Sequence, residues 1–97
     1  MDKDIIKEIL KFRDERDFKQ YHTGEHLAKA LSVEAAELLE CYLWGNETDD
    51  LTHLKEELAD VLIYAVLLAE EYDFDIKEII YEKILKNKKK YPINNNE

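Results

Sequence analysis

The chain has 97 residues with 45% apolar content, two Gly and one Pro, a composition too poor in turn formers for a loop-rich or all-β architecture. Its formal net charge of −9 disfavours a DNA or RNA polymer as partner, because such partners are met by a basic face that releases counterions. A free nucleotide is not excluded, since a divalent cation held by acidic side chains can supply the positive charge that phosphates need.

In chain order, Asp4 is placed to cap a first helix running to about Asp17, with Ile5, Ile9 and Phe12 on one stripe. Phe18 to Gly24 interrupts the pattern, and Thr23 reads as the N-cap of a second helix from Gly24 to about Trp44, ended by Gly45-Asn46. Asp49 or Asp50 starts a third helix reaching about Tyr72. Asp75 caps a fourth that continues to about Lys90, before Pro92 stops it. The expectation is one all-α domain over residues 1–93, a four-helix bundle with short antiparallel connections. The tail Asn94 to Glu97 lacks an apolar anchor and is expected to be disordered.

The third helix contains Val61 to Ala69, apolar around its whole circumference, which calls for burial on all sides. A second subunit completing the bundle would provide it, and so would a central position in a monomer. That run is about half the length needed to cross a bilayer, and Met1 to Asp4 carries acidic residues rather than a leader's apolar stretch. Cys41 is the single cysteine, so no intramolecular disulfide forms and a reducing cytoplasm fits.

Two pairs of carboxylates stand on helix faces otherwise occupied by Leu, Ala and Tyr. They are Glu34 with Glu37 on the second helix and Glu57 with Asp60 on the third. Each pair has i, i+3 spacing, which puts both acids on one side of a helix about one turn apart. Antiparallel packing could bring the pairs together, and four anions in a low-dielectric space require cations. Oxygen-only ligation suits Mg²⁺ or Mn²⁺. Glu56, Glu70 and Glu71 read as solvated helix charges. The stretch from His22 through Glu25 to His26 matches an H-x-x-E-H zinc pattern, but Thr23-Gly24 falls at a helix start and prevents the continuous helix that the pattern needs. Lys83 and Asn87 lie on the apolar side of the last helix, either as a phosphate contact or as a snorkelling lysine.

The stretches 12–18 (FRDERDF), 20–22 (QYH), 31–38 (LSVEAAEL), 56–64 (EELADVLIY) and 83–92 cover nearly the whole chain. Together the sequence resembles the all-α nucleoside triphosphate pyrophosphohydrolases of the MazG superfamily, in the dCTP pyrophosphatase-like branch. The motif that carries most of the likeness is ExxE followed, after residues 38 to 56, by ExxD. The resemblance implies hydrolysis of a (d)NTP to the monophosphate and pyrophosphate, a role in nucleotide-pool cleansing, and Mg²⁺ held by Glu34, Glu37, Glu57 and Asp60 as the catalytic carboxylates. It also implies substrate contacts from His22, Trp44, Tyr64, Lys83 and Asn87, and a homodimer that can pair again into a tetramer. Related enzymes commonly have Trp where Phe18 stands, Pro where Gly24 stands and Asn where His26 stands, which leaves the preferred base open. A non-catalytic helical dimer acting as a regulatory or interaction module would explain the apolar third helix but not the inward carboxylates. A di-iron bundle would call for Glu-x-x-His motifs, which neither Glu34 nor Glu57 begins.

Overall fold

The computed structural model describes residues 2–45 and 47–93 and contains four α-helices: α1 (Lys3–Glu15), α2 (Gly24–Glu40), α3 (Leu51–Glu71) and α4 (Ile76–Lys90). A 3₁₀ turn, Phe18–Tyr21, lies between α1 and α2, and no strand occurs among the described residues. The tail 94–97 lies outside the described residues.

Three of the expected caps form. The Thr23 hydroxyl accepts from His26 N–H at 3.1 Å, Asp50 from His53 N–H at 2.9 Å and Asp75 from Glu78 N–H at 3.1 Å, each satisfying a donor that the first helical turn leaves free. The first helix differs from expectation. Asp2, not Asp4, is its cap, because the Asp2 carboxylate accepts from both Asp4 N–H at 2.8 Å and Ile5 N–H at 3.1 Å. The second helix stops at Glu40 instead of Trp44, since Cys41, Tyr42 and Leu43 bond back three residues instead of four, tightening the end into turns.

The end of α3 is a Schellman motif. Phe74 N–H reaches the Ala69 carbonyl at 2.9 Å and Asp73 N–H the Glu70 carbonyl at 3.1 Å, with Asp73 in the left-handed region at φ 55°.

α2 and α3 form the main packed pair and run antiparallel, so that Gly24 at the start of α2 lies against Tyr72 at the end of α3. Their contact holds the two most buried large side chains, Leu27 and Val66, with Leu67 and Ala69 completing the buried set. α1 rests on α3, and α4 packs only lightly and buries no residue. The Val61–Ala69 segment is thus covered by α2 and α1, with Leu62 left at 45% exposure. The radius of gyration is 16.6 Å, against about 12 to 13 Å for a compact chain of this length. No helix among the described residues is long and apolar enough to cross a membrane.

Candidate active site

The antiparallel pairing of α2 with α3 sets Glu34 and Glu37 opposite Glu57. One carboxylate oxygen from each of the three lies within 4.8 Å of the others. Glu34 Oε2 and Glu57 Oε2 are buried and have no hydrogen-bond partner. Such oxygens carry the cost of desolvation without compensation. Burial raises the Glu34 carboxyl to about 7, and the charges of Glu37, Asp60 and Glu57 add to the rise. Burial, then Glu37, raises Glu57 as well, while His53, 3.8 Å from its outer oxygen, works the other way. Inward acceptor-only groups at close range, two of them unpartnered, fit a hard divalent cation by the chemistry of the donor set.

Asp60 is one turn further along α3. It is electrostatically close to Glu34 and Glu57, but its side chain also lines a cavity of about 660 Å³ between α1, the 3₁₀ turn and α3. Asp60 is thus the link between the carboxylate cluster and the cavity. The cavity walls are mainly apolar, from Ile5, Ile9, Phe12, Phe18, Ile63 and Leu67, with Glu8, Arg13, His22, Asp60 and Tyr64 as its polar groups. A largely apolar recess with few polar side chains is the usual form of a small-molecule site.

His22 Nδ1 is buried without a partner. Burial depresses the basicity of this ring, and the neighbouring His26 and Arg13 add to the effect. The His22 and His26 rings stack with centroids 6.0 Å apart; Thr23 caps α2 between them, so the two imidazoles do not form the zinc-peptidase arrangement. Cys41 lies in the turn after α2, half-buried, and burial raises its thiol.

Of the residues expected at the site, the structure brings together Glu34, Glu37 and Glu57, and places Asp60, His22 and Tyr64 on the cavity. Trp44 stands apart, 94% exposed in the turn after α2. Lys83 and Asn87 are on α4 and do not line the cavity. The α1 wall is not legible as part of a site in residue order: Ile5, Ile9 and Phe12 have the periodicity of a core stripe, which is equally the periodicity of a cavity wall. Arg13 carried one signal, its place in the FRDERDF stretch.

Helices without strands among the described residues, joined by an acidic cluster opening on an apolar recess, define an all-α protein with a carboxylate-built site. The chain belongs to the MazG-like family, whose model matches residues 29–97. It is 34% identical to dCTP pyrophosphatase 1 of Mus musculus over 99 residues, covering 93% of this chain and 58% of that protein. It is likewise 34% identical to dCTP pyrophosphatase 1 of Homo sapiens over 98 residues, covering 92% and 58%. The chain thus spans less than two thirds of these relatives. A crystal structure of a pyrophosphatase from Archaeoglobus fulgidus matches with a TM-score of 0.84 and 35% identity, covering 93% of this chain and 91% of that one.

Proposed function

We propose that the protein hydrolyses a nucleoside triphosphate to the monophosphate and pyrophosphate, with Mg²⁺, or Mn²⁺ in its place, held by Glu34, Glu37, Glu57 and Asp60. The observation that carries this reading is the convergence of Glu34, Glu37 and Glu57 with two buried, unpartnered oxygens. The likeness to dCTP pyrophosphatases and to a solved pyrophosphatase supports the reaction class.

A bound divalent cation would supply charge neutralisation at the phosphates and a more acidic water. The chain's own groups do the rest. Asp60 sits where the cluster meets the cavity, so phosphates directed at the carboxylates leave the nucleoside against the apolar walls. His22 offers its free Nδ1 and Tyr64 its ring to the nucleoside. Water adds at one phosphorus of the α–β anhydride and the bond to the bridging oxygen breaks. The water's proton passes to a site carboxylate oxygen that the cation does not engage.

The same proposal includes a homodimer, or a pair of dimers, formed through α3 and α4 in a cytoplasmic setting suited to the lone Cys41. The extended shape and the exposed Leu58, Ile80, Ile84 and Leu85 support it. In that assembly Lys83 and Asn87 would approach a site from a neighbouring copy. A purely regulatory dimer accounts for the exposed apolar side chains but not for the unpartnered buried carboxylate oxygens.

The test is a panel of canonical and modified (d)NTPs with chromatographic product analysis, run with Mg²⁺ and with chelator. Metal-dependent release of pyrophosphate and a monophosphate is the expected result. No turnover of any member in Mg²⁺ or Mn²⁺ would refute the proposal.

A further inference from the structure

Arg13 is the one Lys or Arg among the residues lining the cavity between α1, the 3₁₀ turn and α3. Its side chain is only 11% exposed, although a guanidinium is charged at any working pH. The Nε–H donates to Asp14 Oδ1 at 2.8 Å, and Asp14 itself stands at 57% exposure on the outside. That bond uses one of five N–H donors and fixes the plane of the fork. The Nη groups have no acceptor among the described residues, and Glu8, the acid on the same cavity wall, makes no ion pair with them. A cationic fork with its Nη groups free thereby stands on the wall of the recess that Asp60 also lines.

We propose that Arg13 is a substrate-contacting residue whose Nη–H groups donate to oxygen atoms of the nucleotide, an inference that rests on the pyrophosphohydrolase reading above. The acceptor chemistry is an oxygen carrying full or partial negative charge, in a phosphate or in an exocyclic base carbonyl. The planar guanidinium can engage two such acceptors at once, which an ammonium cannot do. Asp14 is its positioning partner, holding the fork from the solvent side. Apolar walls surround the fork, so its charge is screened less than it would be in open water.

The full chain with Mg²⁺ is titrated calorimetrically with α,β-imido dCTP and α,β-imido dATP, for wild type, Arg13→Gln, Arg13→Lys and Asp14→Asn, with melting curves for each. Arg13→Gln is expected to weaken dCTP analogue binding about tenfold or more, and Arg13→Lys to weaken it less, because charge remains but the fork is lost. Equal losses for both analogues assign the contact to phosphate. A loss confined to the dCTP analogue assigns it to the base carbonyl, because adenine carries no exocyclic oxygen. Asp14→Asn keeps most of the affinity. The inference is overturned if Arg13→Lys or Arg13→Gln binds both analogues as wild type does, or if Asp14→Asn loses as much as Arg13→Gln, which would make the residue a structural ion-pair partner. Wild-type chain that neither binds the analogues nor releases pyrophosphate from dCTP would remove the underlying reading, and the inference with it.

Discussion

The hydroxyl of Tyr72, at the end of α3, lies directly over Gly24, the first residue of α2: a Cβ built on Gly24 would fall 1.8 Å from Tyr72 Oη and 2.7 Å from Cζ. The absent side chain of Gly24 therefore sets how closely the start of one helix meets the end of the other. Gly24→Ala should destabilise by about 1 kcal/mol, since the ring must swing aside, and at 55% exposure it has room to do so. In a Tyr72→Ala background the same change should become neutral or stabilising, because Ala is the better helix former. Urea melts of the four proteins of this double-mutant cycle would measure the coupling.

Replacing Glu37 by Gln or Asp60 by Asn should reduce metal-dependent pyrophosphate release by roughly 100-fold or more, given that even outer-shell changes at metal sites cost 10- to 100-fold. In chelator, the same variants should melt at the same temperature as wild type or higher, because one of several mutually repelling anions is gone. Glu56→Gln, an exposed charge one residue before Glu57, should change neither property. Wild-type turnover in the Asp60 variant would remove that residue from the site.

The raised carboxyl of Glu34 fixes a pH dependence. Between the ordinary value of 4.5 and about 7, the folded chain keeps a proton that the unfolded chain has released. Folding is then favoured by protonation, and metal-free stability should fall as pH rises through this window. The upward shift of Glu57 acts in the same direction. Denaturant midpoints from pH 5 to 8 in chelator would show the decline; Glu34→Gln should flatten it, and added Mg²⁺ should oppose it.

Val66 and Leu58 share α3 but differ in surroundings, Val66 being 1% exposed in the single chain and Leu58 45%. Val66→Glu buries an unpaired charge and should unfold the chain, at a cost of several kcal/mol. Leu58→Glu should leave helix content intact while shifting sedimentation from dimer to monomer. A wild-type chain that sediments as a folded monomer at micromolar concentration would refute the dimer.

At the Schellman motif that ends α3, Asp73 holds φ 55°, a region in which a side chain is disfavoured by about 1 to 2 kcal/mol. Asp73→Gly should raise the melting temperature by a few degrees, the relief exceeding the added flexibility of the unfolded chain. Asp73→Val should lower it.

Much of this protein is local, and so could be read directly from residue order. Thr23 and Asp75 announce helix starts because a cap needs only its own next three residues. The i, i+3 spacing of Glu34 with Glu37, and of Glu57 with Asp60, assigns each pair to one side of a helix for the same reason. Which atoms then meet is a matter of the rotation and axial offset between helices, set by nonlocal contacts such as those burying Leu27 and Val66. That offset draws one carboxylate oxygen each of Glu34, Glu37 and Glu57 to within 4.8 Å and leaves Asp60 on the cavity wall. It also turns the apolar stripe of α1 into a cavity wall that includes Arg13, and keeps Lys83 and Asn87 on α4, away from that cavity. A 3.6-residue period records which side of a helix is apolar, but whether that side meets another helix, a ligand or a second copy is decided only when the helices pack.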